Sequence, residues 1–302
     1  MTIFAEKTQI AKCSDARTLL NEIEQRLDHL LPVEGERNAV INAMREGALA
    51  PGKRIRPLLL IMAARDLGYV CDHYVLLDLA CAIEIVHAAS LILDDIPCMD
   101  NAKMRRGRPT VHCQFGEPVA ILAAVALLSR AFEVIATAHN LSAQARNQAV
   151  AELSRAIGVQ GLVQGQFRDL AEGSHSRSVD AVLLTNQFKT SALFSASMQI
   201  AAIVASASAD SRDKLQDFSL ELGQAFQLLD DLMDSQSNTG KDINQDAGKS
   251  TLVNMLGRRV VEQQLREHLK RADLHLTSAC PSGMSTRQFI QSWFDKKIAA
   301  AS

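Results

Sequence analysis

The stretch Leu76-Leu77-Asp78-Leu79-Ala80-Cys81-Ala82-Ile83-Glu84-Ile85-Val86-His87-Ala88-Ala89-Ser90-Leu91-Ile92-Leu93-Asp94, running on into Asp95-Ile96-Pro97-Cys98-Met99-Asp100, decides how the rest of the chain is read. Leu76, Leu79, Ala80, Ile83 and Val86 recur at helical spacing and make one apolar stripe, which His87 and Ser90 interrupt. The pattern predicts a core helix that turns polar towards its C-terminal end. An aspartate pair there opposes the helix dipole, so it points to function rather than stability. A straight helix cannot align all three aspartates, because at about 100° per residue position i+6 points well away from i. Pro97 disfavours helix at Ile96 and bends the chain, which lets Asp100 fold back towards Asp94.

Working outward, the same helical spacing recurs, with Ala, Leu, Glu, Gln and Arg abundant and strand signals scarce. The breaks fall at Pro32–Gly35, Pro51-Gly52, Pro97–Pro109, Gly116–Pro118, Gly173–Ser178, Asn238–Gly248 and Pro281–Gly283. None is long or biased enough to be a linker, and there is no internal repeat, so the expectation is an all-α chain forming one large helical domain over residues 1–302. A composition of 47% hydrophobic and 22% charged residues suits a globular protein. A net charge of -2 gives no global field for nucleic acid or an acidic membrane surface. The six cysteines show no CxxC pair, and the first residues show no targeting signal, so the expected setting is cytoplasmic with reduced thiols. Thr190–Ala209 carries no charge for 20 residues, yet its serines and alanines fit a buried core helix better than a membrane span.

A second acidic segment, Gln227-Leu228-Leu229-Asp230-Asp231-Leu232-Met233-Asp234, needs no bend. Asp230 and Asp234 are i,i+4 neighbours and Gln227 joins them at i−3, so one helix face presents two carboxylates and an amide. Either aspartate pair alone reads as well as an ordinary helix end or solvated turn as it does as a functional group. Two such segments in apolar sequence would repel and resist burial without cations, and hard oxygen ligands of this kind suit Mg²⁺ bridged to phosphates. Donors for phosphate occur in Gly52-Lys53-Arg54-Ile55-Arg56-Pro57 and Lys103-Met104-Arg105-Arg106-Gly107, the second just after Asp100. His87 lies seven residues before Asp94, almost on the same helical stripe. Each basic run alone would be an ordinary surface patch, and Lys189-Thr190 and Lys241 are weaker signals still.

In this order the residues resemble the trans-isoprenyl diphosphate synthase family, and among its members the bacterial geranylgeranyl type, from about Gly52 to Thr251. Asp94-Asp95-x4-Asp100 with Arg105-Arg106-Gly107-x-Pro109-Thr110 looks like the first aspartate-rich motif, and Asp230-Asp231-x2-Asp234 like the second. Gly165-Gln166-x2-Asp169 looks like the mid-chain motif, and Gly248-Lys249-Ser250-Thr251 like the GKST-type loop. The resemblance implies an isoprenoid-synthase helical fold around a central substrate cavity, with Mg²⁺, several ions per site, and a homodimer.

It further implies that Lys53, Arg56, His87 and Arg106 bind isopentenyl diphosphate, while Arg105, Lys189, Thr190, Gln227 and Lys241 hold the allylic diphosphate. Asp94, Asp100 and Asp230 would ligate Mg²⁺, with Asp95, Asp231 and Asp234 in support. Leu93 departs from the family, where many members have His. Ala89 and Ser90, the positions five and four before Asp94, would leave a tunnel deep enough for a twenty-carbon product. The helix geometry alone does not select Ala89, which lies about 140° from Asp94. Farnesyl diphosphate is the alternative product. A terpene cyclase and a non-catalytic partner subunit remain as other readings, the first disfavoured by Lys53, Arg56 and the twin arginines and the second by two intact aspartate motifs. Geranylgeranyl diphosphate could feed carotenoids, lipids or protein prenylation.

Overall fold

The computed structural model of the protein describes residues 16–33, 38–172, 178–234 and 252–301. The chain begins with α1 (Ala16–Leu30), α2 (Ala39–Ala48), α3 (Ile55–Asp66) and α4 (His73–Asp95). Asn38 and Asp72 cap α2 and α4, their side-chain oxygens accepting from the first free backbone N–H groups. α4 is buried on almost every face, from Val75 to Ile92, and packs against α1, α2, α3 and the later helices α6 (Glu117–Ala136) and α10 (Ala192–Val204). It is therefore the central post of the fold, as its length and apolarity predict.

Between α4 and α6 lie a small hairpin, β1 (Met104–Arg105) with β2 (Arg108–Pro109), and the short helix α5 (Val111–Phe115). Among the described residues the hairpin is the one departure from an all-helical reading. Its two-residue loop, Arg106-Gly107, has φ of 52° and 76°, the all-positive geometry that matches strand twist. After α6 come α7 (Ala143–Ile157), α8 (Leu162–Glu172) and α9 (Val179–Asn186), then a π-helical turn at Gln187–Ser191 leading into α10. The uncharged run expected as one helix over Thr190–Ala209 is thus divided. Its thirteen-residue core, α10, is buried as expected, but the helix ends at Val204 and Ser206 takes φ 52°.

The last long elements are α11 (Ala209–Asp234), α12 (Leu252–Leu256), α13 (Arg258–Ala279) and α14 (Ser285–Ala301). α11 packs along α13 and α10, and α10 also touches α3 and α7, so one hydrophobic cluster runs through the described helices. Among the described residues two helices, α4 and α6, are long and apolar enough to cross a membrane. α4 is the core post, whereas α6 leaves Ile121, Leu122 and Val125 exposed. Cys71, Cys81, Cys98, Cys113 and Cys280 are free thiols.

Candidate active site

The first acidic segment bends as Pro97 requires. Ile96 takes φ −64°, ψ 156°, an extended conformation, and α4 stops there. The amide of Met99 then donates to Ile96 O at 2.9 Å, that of Asp100 to Asp94 O at 2.9 Å, and that of Ala102 to Asp95 O at 3.1 Å. The two adjacent aspartates are given different work. Asp95 is 4% exposed, and Arg105 grips it through Nε at 2.8 and 2.9 Å from its two oxygens. For Asp94, burial pushes the carboxyl up to about 6; Lys189 and Arg105 oppose that rise, and Asp100 and Asp95 add to it.

The basic side is built on two strained backbones. Arg54 (φ 48°) and Arg106 (φ 52°) are both left-handed without being glycine, and each lies in a run expected to bind diphosphate. Arg106 reaches back to donate to Pro51 O at 2.8 Å, tying the hairpin to the Gly52–Arg54 loop. A β-carbon on Gly52 would sit 2.8 Å from that guanidinium, so the arginine lies close against the loop backbone. Arg54 itself is buried, donating to Glu84 at 2.7 Å and to the carbonyls of Ala48 and Ala50. Its role is to hold the loop.

Arg56 lies with its guanidinium 4.6 Å from the Phe194 ring centroid, and its Nε is buried without a partner. Lys53 is exposed at the rim, its Nζ 5.3 Å from the Trp293 ring centroid. His87, half-buried on α4, is held well below the ordinary imidazole value by burial first and then by Arg56, Arg106, Arg105 and Arg54. The ring is neutral and offers one donor and one acceptor.

On the opposite wall the π-helical turn carries Lys189 and Thr190. Such turns are rare and cluster at functional sites. Two glycines make room for this one. A β-carbon at Gly165 of α8 would lie 2.5 Å from Lys189 N, and one at Gly223 of α11 would lie 2.0 Å from Ser191 Oγ. Lys189 pairs with Asp169 at 2.9 Å and is held above the usual lysine value, because Asp94, Asp169 and Asp100 outweigh the burial that would lower it.

On α11, Gln227 accepts from Thr190 Oγ1 at 3.3 Å and donates to Asp231, the i+4 residue, at 3.1 Å. Asp231, 9% exposed, also accepts from Leu252 N at 3.1 Å, so it fastens the start of α12. Asp230 is the exposed member and acts electrostatically on Arg56 and Arg106. Asp234 ends α11, and Lys241 and the Gly248–Thr251 loop lie outside the described residues.

The fold therefore brings Asp94, Asp100, Arg105 and Lys189 into one electrostatic group, and Arg56, His87, Arg106 and Asp230 into a second beside it. Ala89 is fully enclosed in α4, while half-buried Ser90 donates to His87 O at 2.9 Å. Sequence reasoning gave no site role to Glu84 or Asp169. Glu84 was visible as a lone acid on an apolar helix, and Asp169 belonged to a motif already noticed. Among the described residues no three His, Cys, Asp or Glu side chains gather closely enough to hold a metal ion by themselves. That donor set fits Mg²⁺, which takes one or two carboxylates together with waters and substrate phosphates. The unpartnered Nε of Arg56 and the unpartnered amide of Gln166 fit the same polar, anion-bearing occupant.

A family model described as polyprenyl synthetase matches residues 38–278. The chain is 66% identical over 302 residues, covering 100% of both chains, to the geranylgeranyl diphosphate synthase of Pantoea ananas. It is 54% identical over 297 residues, 98% of this chain and 97% of the other, to the protein of the same name from Pseudescherichia vulneris. Among solved structures, the geranyltransferase of Helicobacter pylori complexed with magnesium and isoprenyl diphosphate superposes with a TM-score of 0.83 at 27% identity, covering 94% of this chain and 99% of that one. With a family match over residues 38–278 and full-length identity of this extent, the chain belongs to the polyprenyl synthetase family.

Proposed function

We propose that this chain is a trans-prenyltransferase that condenses isopentenyl diphosphate with dimethylallyl, geranyl or farnesyl diphosphate and releases geranylgeranyl diphosphate. The observation that carries it is that Asp94, Asp100 and Lys189 lie close enough to act on one another electrostatically, as do Arg56, His87, Arg106 and Asp230. The full-length 66% identity to a geranylgeranyl diphosphate synthase supports the twenty-carbon product. In this reading residues 1–302 act as one helical domain in the cytoplasm.

Lys189 and Thr190 on the π-helical turn, with Arg105, Gln227 and Lys241, hold the allylic diphosphate. Lys53, Arg56, His87 and Arg106 hold isopentenyl diphosphate. Asp94, Asp100 and Asp230 would hold Mg²⁺, as several ions, which would neutralise the charge that develops on the leaving diphosphate. The allylic C–O bond breaks with its electron pair leaving on diphosphate; the double bond of isopentenyl diphosphate attacks the allylic carbon. A proton is then lost, and the departing diphosphate is the nearest base. Ala89 and Ser90 on α4 leave room for the growing tail, and the surrounding apolar helices keep water from the cation.

A homodimer belongs to the same reading. α6 exposes Ile121, Leu122 and Val125 as a contiguous apolar face, which a second copy would cover. The deciding experiment is product chromatography after incubation with isopentenyl diphosphate and each allylic primer, with and without Mg²⁺. A Mg²⁺-dependent twenty-carbon diphosphate is expected. A fifteen-carbon stop overturns the product length, and no condensation overturns the activity and leaves a partner-subunit role.

A further inference from the structure

Trp293 is the only tryptophan of the chain. It sits on α14, whose first turn is bolted to the end of α3: the Asp66 carboxylate accepts from the amides of Ser285 at 3.1 Å and Thr286 at 2.8 Å. The join is tight enough to require glycine, since a β-carbon on Gly283 would lie 2.3 Å from Asp66 Cβ. α3 is the helix whose opening turn carries Arg56, with Lys53 just ahead of it. The C-terminal helix is thereby fixed against the segment that presents the homoallylic cations.

From there an aromatic row crosses the core. Trp293 stacks on Phe226 at 4.7 Å between centroids, and Phe226 on Phe194 at 4.9 Å. Each end of the row lies under a cation. The Arg56 guanidinium is 4.6 Å from the Phe194 centroid, and the Lys53 ammonium is 5.3 Å from the Trp293 centroid. Both distances fall within the ~6 Å reach of a ring's quadrupole, and the indole offers the strongest face of the common side chains. Lysine carries a point charge on a flexible stem, so an exposed Lys53 gains most from a surface that limits where its ammonium rests.

We propose that Trp293 is a positioning residue for the homoallylic diphosphate: its ring face holds the Lys53 ammonium towards isopentenyl diphosphate, so that α14 forms one wall of that subsite. The ligand's identity rests on the function proposed above. Because the indole is unique and in contact with the binding cation, drawing Lys53 onto a diphosphate changes its surroundings, and its emission reports occupancy.

The test uses the full-length chain. Isopentenyl diphosphate is titrated by calorimetry and by tryptophan emission, with farnesyl diphosphate as a parallel titrant, and steady-state kinetics are measured for Trp293→Leu and Trp293→Phe. The expected result is a saturable emission change with isopentenyl diphosphate that is absent in Lys53→Met. Trp293→Leu raises KM for isopentenyl diphosphate about 2–5-fold, with kcat and the farnesyl diphosphate KM unmoved, and Trp293→Phe restores most of the loss. Calorimetric binding without an emission change, together with unaltered Trp293→Leu kinetics, overturns the proposal. So does a joint shift of kcat and both KM values in Trp293→Leu and Trp293→Phe alike, which is the mark of a packing role. Absence of any heat with isopentenyl diphosphate in the unmodified chain overturns the functional reading as well.

Discussion

The amide of Asp100 donates to the carbonyl of Asp94 at 2.9 Å, closing a loop of seven residues at the end of α4. That bond exists because Ile96, ahead of Pro97, is extended and cannot continue the helix. Pro97→Ala removes the steric bar and lets α4 run on, which carries Asp100 away from Asp94. The loop is exposed enough that the unfolding midpoint should move by only a few degrees. Misplacing a metal-binding carboxylate by an ångström is costly, so kcat/KM should fall about 10–100-fold with a raised Mg²⁺ requirement. Unchanged kinetics in Pro97→Ala would show that the bend does not set the aspartate geometry.

A second prediction concerns the π-helical turn. A β-carbon at Gly165 would meet the Lys189 backbone at 2.5 and 2.8 Å, where only a main-chain shift can relieve the clash. Gly165→Ala should therefore cost about 1–3 kcal/mol in urea unfolding. The same shift moves the Lys189 ammonium from the cleft, raising the KM for farnesyl diphosphate more than that for isopentenyl diphosphate. Equal effects on both substrates would mean that the turn does not position Lys189 for one diphosphate.

These two sites mark how far the sequence could be read. The bend at Pro97 follows from a rule about neighbouring residues, so Asp100 could be returned to Asp94 from the residues alone. The π-helical turn depends on glycines 24 residues before and 34 after Lys189, at positions 165 and 223, and no local pattern announces it. The division of labour within Asp230-Asp231 was likewise hidden. Asp231 is engaged by Gln227 on its own helix and by Leu252 N, 21 residues further on, and local spacing cannot show that second contact. The Arg106-Gly107 hairpin escaped because its strands are two residues long and carry no alternation.

Stability should respond to acid through α11 and α13. Glu221 faces His268 Nδ1 at 2.6 Å and Arg271 Nε at 2.9 Å. Burial would raise its carboxyl, but the hydrogen bonds from Arg271 and His268 outweigh burial and hold it below the ordinary glutamate value. A depressed carboxylate contributes stability that is fully present above the unfolded-state value of about 4.3 and is lost as pH falls through the lower folded value. Glu221→Gln should thus destabilise the chain at pH 7 by about 1 kcal/mol and have a smaller effect at the acid end of the range. A destabilisation independent of pH would remove Glu221 from the acid response.

Product length offers a test of α4. Ala89 is fully enclosed, so a larger side chain there must either displace its neighbours or fill space reserved for the prenyl tail. Ala89→Phe should shift the main product from twenty carbons to fifteen, read by chromatography, with a stability cost of about 1–3 kcal/mol for overpacking. An unchanged twenty-carbon product would take Ala89 out of the tunnel floor.

The buried pair Arg54–Glu84 gives the sharpest stability prediction. Its members are 2.7 Å apart with side chains 4% and 5% exposed, and Arg54 also donates to two backbone carbonyls of the loop that presents Lys53. Removing one charge strands the other in the core, so Glu84→Gln should cost about 3–5 kcal/mol in urea unfolding. Replacing both partners, Glu84→Leu with Arg54→Met, removes the stranded charge and should recover much of that stability. The loop then loses its three anchors, so the double variant should still bind isopentenyl diphosphate more weakly than the unmodified chain. A double variant that recovers both stability and the isopentenyl diphosphate KM would confine the pair to packing, with no part in holding Lys53 and Arg56 in place.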